Sequence, residues 1–392
     1  MTNNEFDVVI VGGGLVGLSL AAALGGSDLS IAVLEARQPL VDWPADSVDL
    51  RVYAITRESQ KLFETVGAWP AMLSKAGPFR DMHVWDAGGN GDIHFSSADL
   101  GEPYLGHILE SRVIEKALLD VIADLPAVQR FCPATVTAFS ELEDGQQIEL
   151  EDGRTLSARL LVGADGKQSK VRDYAGIHAR VSDYGQQALV AVVTTERAHA
   201  ETAWQQFLPT GPLAFLPLAD GRSSIVWSVT SDRAERLLEL DEADFCTELS
   251  KAFDQRLGKV TACGERILFP LQRQYAEHYV APRIALVGDA SHVIHPLAGQ
   301  GVNLGLKDVR ELADTLLEAR KQQRDIGSLP VLRRYERARK GDNMIMMLAM
   351  DGFKTLFGSP VAPLRWARNF GLNLVDAAQP VKNQIMRAAM GL

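Results

Sequence analysis

The sequence predicts an α/β chain with an α+β insertion: a Rossmann-like domain in three pieces, an antiparallel-sheet domain in two, and C-terminal helices. Three observations predict it. An apolar strand runs straight into Gly12-Gly13-Gly14-Leu15-Val16-Gly17 and a helical pattern. The same device, a strand into a tight turn into a helix, recurs at Gly163-Ala164-Asp165-Gly166 and at Gly288-Asp289. Around these returns lie strand-length runs separated by Gly- and Pro-rich turns, the pattern of an antiparallel sheet. Residues 1–78, 99–178 and 275–325 would build the first domain, 79–98 and 179–274 the second, and 326–392 the helical region.

In the first unit, Phe6 to Val11 is a β-branched strand and Leu15 to Leu24 a helix. A second strand, Ile31 to Leu34, ends at Glu35, 21 residues after Gly14. In this context Gly12 permits the tight turn, Gly14 lets the backbone approach a pyrophosphate, and Gly17 allows close helix–strand packing. Glu35 would accept a hydrogen bond from an adenosine ribose hydroxyl and would repel the extra phosphate of NADPH. A dinucleotide is therefore expected, and the pattern does not by itself separate FAD from NAD.

Residues 38–50 are Pro- and Asp-rich and read as a loop. Arg51 follows, either a surface ion-pair residue or a flavin or substrate contact, and a helix begins near Thr56. Phe79 to Phe95 alternates like strands. Leu109 to Ile122 is helical, with Arg112 in its first turn, facing solvent or a phosphate or ribitol. Thr135 to Leu156 reads as a hairpin set, and the strand Arg159 to Val162 leads to Asp165, Ser169 and Arg172. From Ala188 to Leu271 come several strands, interrupted by one helical piece, Asp244 to Leu257. Their aromatic residues, Trp204, Phe207, Phe215 and Trp227, supply core, and the face turned to the first domain would be an apolar pocket wall.

Arg283 to Val309 holds the third return: a strand, the Gly288-Asp289 turn, and a helix starting near Gly301 or Val302. Gly299, Gly301 and Gly305 make sense where main chain approaches a bulky ligand, because each costs backbone entropy. The N–H groups at that helix start favour negative charge on the ligand, and Asp289 sits at the carboxyl end of a strand, where such sheets place ligand contacts. The run Leu329 to Asp351 is helical, and its Met344, Met346, Met347 and Met350 read as irregular core packing. Leu364 to Leu374 and Val381 to Met390 are apolar on one side and basic on the other, through Arg365, Arg368, Lys382 and Arg387. They read as docked terminal helices or as an interfacial patch for an acidic membrane surface.

Composition narrows the function. Of 392 residues, 46% are apolar and 23% charged, ordinary for a globular protein. The net charge of -10 argues against nucleic acid as a partner. It is uneven: from Arg333 onward ten Lys or Arg face four Asp or Glu, while the 332 residues before hold 30 against 46. Cys132, Cys246 and Cys263 are far apart and form no CxxC, which suggests a reducing compartment and neither disulfides nor zinc. The N-terminal stretch lacks signal-peptide character and no run reaches the ~18 apolar residues of a membrane span, so a cytoplasmic protein is expected. His292 and His295 lie near Asp289 but have no third ligand nearby, so no metal is expected. With no HExxH, GxSxG or Walker loop either, the reactive group would be a bound cofactor.

Gly12 to Gly17 with Glu35, Gly163 to Gly166 with Ser169 and Arg172, and GDASHVIHPLAGQGVNLGLKD together resemble the motifs of the aromatic-ring FAD monooxygenases of the para-hydroxybenzoate hydroxylase type. HPLAGQGVNLGLKD, LGHILESRVIEKALL and TAWQQFLPTGPLAFLPL are more narrowly similar to the ubiquinone-biosynthesis hydroxylases, over essentially the whole chain. Ser291 stands where that family usually has Ala. The resemblance implies FAD as cofactor and NAD(P)H as electron donor, with O2 trapped as a flavin C4a-hydroperoxide that attacks a phenol ring. It implies that Asp289, after Gly288, binds the flavin ribitol and that Arg112 lies by the ribitol or pyrophosphate. Pro296, close to Gly299, would touch the flavin ring, and Gly301, Val302 and Asn303 would aim N–H groups at its pyrimidine edge. Asp165 and Arg172 would serve FAD and NAD(P)H handling, and Arg51 would lie near the isoalloxazine and the substrate entrance. No catalytic side chain is implied, since the flavin is the reactive group. The implied substrate is a polyprenylated phenol, hydroxylated at C5, with C6 and C1 next. Peripheral contact with the inner face of the membrane and with other quinone-biosynthesis proteins would follow. A soluble hydroxylase of small aromatic acids, an oxygen-independent flavoprotein and a non-catalytic assembly subunit are the competing classes.

Overall fold

The computed structural model describes residues 4–44, 46–294, 301–358 and 362–391. The chain starts with β1 (Glu5–Val11), α1 (Leu15–Leu24) and β2 (Ile31–Leu34). β3 (Val52–Thr56), α2 (Arg57–Thr65), α3 (Trp69–Leu73), β4 (Gly77–Phe79), β5 (Asp81–Asp86) and β6 (Asp92–Ser96) follow. Then come β7 (Gly106–Glu110), α4 (Ser111–Ala123), β8 (Val128–Phe131), β9 (Val136–Leu142), β10 (Gly145–Leu150), β11 (Thr155–Gly163) and α5 (Lys170–Tyr174). A third group is β12 (Ala179–Thr195), β13 (Thr202–Leu208), β14 (Gly211–Pro217), β15 (Ser223–Thr230), α6 (Ser231–Glu239), α7 (Glu242–Ala252) and β16 (Val260–Ala276). Last come β17 (Val280–Ala281), β18 (Ile284–Leu286), β19 (His292–Val293), α8 (Gly301–Lys321), α9 (Leu329–Gly358), α10 (Ala362–Ala377) and α11 (Gln379–Met390).

The first sheet runs β17-β18-β11-β1-β2-β8, with β10 and β9 attached beside β11. Its centre is parallel: Val8 pairs with Leu160 on one side and Ile31 on the other. Helices cover both faces of such a sheet, so its strands read as unbroken apolar runs. Val8, Val9, Ile10, Ile31, Val33 and Leu160 are fully buried accordingly. This is the Rossmann-like unit the sequence predicts.

The second sheet, β19-β16-β12-β15-β14-β13-β5-β6, is antiparallel apart from the β13–β5 pair. Side chains alternate across it. One face sends Leu189, Phe215, Ile225 and Trp227 into a core closed by Phe245 and Leu249 of α7. The other turns Val192, Ala203, Ala214 and Leu216 toward the first unit. A small sheet, β3-β7-β4, lies at the seam.

Three expectations need correction. The helical piece expected at Asp244 to Leu257 is α7, Glu242–Ala252, and a second helix that was not expected, α6, precedes it at Ser231–Glu239. α6 buries only Ala234 and Leu237 among charged residues, too sparse an apolar stripe to stand out in the sequence. The helix expected over Leu329 to Asp351 continues to Gly358. The terminal helices do not present a uniformly basic face. Arg368 is buried, and its Nε and Nη2 donate to Asp86 at 2.8 and 3.0 Å. Lys382 is buried beside Asp376 at 3.3 Å and Asp99 at 3.5 Å. These cations neutralise acids of the β5–β6 region and of α10 itself, while Leu374, Val381 and Ile385 face outward. The side chain of Arg365 lies outside the described residues, as do Pro296, Gly299 and His295.

Candidate functional site

A cavity of about 580 Å³ lies between the Rossmann-like unit and the second sheet. Its nucleotide wall is built from turns. Gly12 has φ +107, and a Cβ there would overlap the carbonyl of Ala164. A Cβ on Gly17 would collide with the carbonyl oxygen of Gly12, so the helix can approach the strand only with glycine. A Cβ on Gly14 would meet nothing within 4 Å, because this residue borders the cavity. α1 starts here with no side chain capping it, leaving first-turn N–H groups for an anion.

Glu35 ends β2, where its Oε2 accepts from the Gly13 N–H at 2.7 Å and its Oε1 from the Arg37 N–H at 2.9 Å. In the second turn, Asp165 Oδ2 accepts from the N–H groups of Lys170 and Val171 at 2.7 and 3.2 Å. Its Oδ1 is buried without a partner among the described residues, and burial raises its carboxyl above the usual range. Arg172 does not reach the cavity. Its Nη1 donates to the carbonyls of Lys167 and Ala290 at 3.0 and 3.2 Å, bracing the second turn against the third.

The third turn pivots on Gly288, whose φ is +60. Asp289 lines the cavity and is exposed only into it, deep within the molecule. Burial raises its carboxyl, with His292, Arg51 and Lys167 pulling the other way. His292 is locked into a buried cluster. Asp308 of α8 accepts from His292 Nε2 at 2.5 Å, Gly288 N–H at 3.1 Å, Arg339 Nε at 2.9 Å and Asn343 Nδ2 at 3.3 Å. Burial alone would raise the Asp308 carboxyl, but His292 and Arg339 outweigh it and hold it below the usual range. The cluster ties the Asp289 turn to α8 and α9. Among the described residues no group of His, Cys, Asp and Glu could hold a metal ion.

Gly301 and Val302, at the start of α8, border the cavity. Asn303 uses its side chain elsewhere, accepting from Ser59 Oγ at 2.7 Å and donating to the Ala54 carbonyl at 2.7 Å. That clamp fixes the N-terminus of α8 on the β3–α2 junction. Arg112 is likewise engaged by protein: it donates to Glu110 at 2.7 Å and Ser47 Oγ at 2.9 Å, and its guanidinium lies 4.6 Å from the Trp43 ring centre. It fastens the 43–49 loop to α4 and lies behind the cavity wall. Arg51 does line the cavity, 5.6 Å from the ring centre of Phe269.

Three residues not singled out as cavity contacts by sequence also line it: Tyr53, Ser111 and Glu115. Ser111 Oγ donates to Glu115 Oε1 at 3.1 Å, and burial pushes both the Glu115 carboxyl and the Tyr53 phenol up. The i,i+4 spacing of Ser111 and Glu115 on a helix was the available signal. Tyr53 gave none, since only the β3–β7 pairing places it at the seam.

The opposite wall is the sheet. Ala188, Val190, Ala214, Leu216, Val226 and Phe269 make it apolar, and among the described residues no Lys or Arg of the sheet lines it. An uncapped helix start at Gly14, the start of α8 at Gly301 and the Asp289 carboxylate share one space, and these residues fit a bound FAD.

The chain matches a family model described as FAD binding domain over residues 5–343. It is 41% identical over 385 residues to the ubiquinone hydroxylase UbiL of Rhodospirillum rubrum, covering 98% of this chain and 89% of that protein. It is 39% identical over 394 residues to the 3-demethoxyubiquinol 3-hydroxylase of Escherichia coli, covering 100% of both. Among solved structures, PqsL of P. aeruginosa in complex with 2-aminobenzoylacetate superposes with a TM-score of 0.80 at 22% identity, over 94% of this chain and 99% of that one. That likeness speaks for the fold.

Proposed function

Because this chain belongs to the FAD-dependent monooxygenases of ubiquinone biosynthesis, we propose that it hydroxylates the ring of a polyprenylated phenol, at C5, with NAD(P)H as electron donor. The observation that carries the proposal is the pairing of the two walls: a glycine-built nucleotide wall faces an apolar sheet wall without cations across one cavity. A hydroxylase of small aromatic acids would need a cationic clamp on that sheet.

Bound FAD supplies the redox chemistry, taking reducing equivalents from NAD(P)H and activating O2. The protein's residues do the rest. Gly14 and the first turn of α1 would hold the pyrophosphate, Glu35 the adenosine ribose, and Asp289 the ribitol. Gly288 sets the turn that carries Asp289, and Arg172 holds that turn against the Asp165 segment, where the nicotinamide donor is handled. The N–H groups of Gly301, Val302 and Asn303 at the start of α8, with Arg51, would put positive potential beside the flavin ring. Arg112 acts through the 43–49 loop that it fastens. Pro296 and Gly299 would complete the flavin-facing loop. The apolar sheet wall excludes water from the reacting oxygen. None of the described helices is long and apolar enough to cross a membrane. Leu374, Val381 and Ile385, exposed on α10 and α11, would instead rest on the inner leaflet from which a prenylated substrate is drawn.

The test is deletion of the gene with identification of the quinone-pathway intermediate that accumulates. A prenylated phenol lacking one ring oxygen supports the proposal, and its structure assigns the carbon. An unchanged quinone pool overturns it. Substrate-dependent NAD(P)H oxidation that runs undiminished without O2 would overturn the monooxygenase chemistry.

A further inference from the structure

We propose that Gln205, projecting from β13 into the cavity, reads an oxygen substituent on the ring of the substrate; the proposal rests on the reading above that the cavity takes a phenol. Strand pairing aligns Ile267, Val190, Val226, Ala214, Gln205 and Val84 in one row across five strand pairs. Every other member of that row is apolar. Gln205 is only 6% exposed, and what is exposed faces the cavity. No hydrogen bond holds its carboxamide among the described residues, and its polar atoms open into the cavity, free to bond a ligand there. Its neighbour Gln206 points to the opposite face, where its amide nitrogen donates to Asp254 at 2.6 Å, so of the two carboxamides only that of Gln205 is presented to the cavity.

A second polar group lies nearby on the same face. Ser228, 1% exposed, lines the cavity in the row formed with Ala188 and Phe269, and its hydroxyl has no partner among the described residues. Between Gln205 and Ser228 the wall is floored by Pro212, Ala214 and Val226. An isoprenoid tail offers nothing for an amide or a hydroxyl to bond. An oxygenated ring does: the carboxamide can donate to a methoxyl oxygen and can exchange either role with a hydroxyl. Gln205 would thus be a specificity-determining contact that distinguishes ring oxygenation states.

The purified flavin-loaded enzyme tests this with two probes, a geranylated phenol carrying a ring methoxyl and its counterpart lacking the methoxyl. The wild type should prefer the methoxylated probe. Gln205→Leu should raise KM for that probe about tenfold while shifting the other by less than about twofold, with flavin content and kcat retained. Gln205→Asn, which keeps the carboxamide, should restore part of the preference. Should Gln205→Leu lose its flavin, Gln205→Met, similar in length and without the amide, gives the same reading. A preference unchanged in both apolar variants overturns the assignment alone. Failure of the wild type to hydroxylate either probe overturns it together with the proposed function.

Discussion

The nucleotide wall of the cavity follows glycine turns, with Gly14, Gly288 and Gly301 at its surface, whereas the sheet wall is made of side chains placed by strand register. The turn behind the first tolerates almost no change, because a Cβ at Gly12 or Gly17 would occupy space already filled by carbonyl groups. The second is adjustable, because any small apolar residue fits a floor of Ala188, Ala214 and Val226. A shared cofactor and divergent substrates would call for this division: geometry fixed on one side, chemistry adjustable on the other.

Substitutions can break or sharpen that contrast. The largest effect is expected from Gly17→Val, which forces helix from strand and should abolish soluble flavin-bearing protein, read from flavin absorbance. The contrasting Ala188→Leu on the sheet wall should retain full flavin content. Next in size, Asp308→Ala leaves Arg339 and His292 buried around a missing carboxylate and should cost about 3–5 kcal/mol, read as a lowered Tm. Asp289→Asn removes a carboxylate that has no hydrogen bond among the described residues and should leave Tm unchanged or higher while FAD retention on gel filtration falls about tenfold. The smallest effect lies at the seam. Burial and the nearby Arg57 push His107 from 6.5 down to about 4, so it stays neutral in the fold. As pH falls below 6.5 the unfolded chain takes up this proton first, so stability is lost between there and about 4. His107→Gln should escape about 1 kcal/mol of that loss between pH 7 and 5.5, seen in denaturant melts.

The same division decides what could be read in advance. Gly12, Gly17 and Gly288 were legible because a turn that excludes a side chain leaves glycine as its trace. The parallel core was legible because Val8 to Val11, Ile31 to Leu34 and Leu160 to Val162 are unbroken apolar runs. Charged residues were not legible in the same way. Arg112 and Arg172 looked like cofactor contacts, yet each side chain is spent on protein: Glu110 and Ser47, and the Lys167 and Ala290 carbonyls. Sequence shows a charge without showing its partner. Arg368 and Lys382 illustrate this again, since their partners Asp86 and Asp99 lie far away in the chain. Gln205 was invisible for a related reason. Alternation assigns it to a face of β13, and only the full sheet says which face borders the cavity.

The pairing of β1 has a consequence for how the protein is made. Its first residue pairs with Ser157, and the next parallel strand, β18, begins only at Ile284. β1 therefore keeps one side uncovered until residues 155–163 have been made, with the edge at Val8 to Ile10 open to wrong partners in the meantime. On the function proposed above, flavin capture would wait for Gly301 and Val302 as well. Cofactor supply would then act only on chains that already contain α8, and riboflavin starvation should appear as turnover of those chains, leaving the profile of shorter nascent ones unchanged.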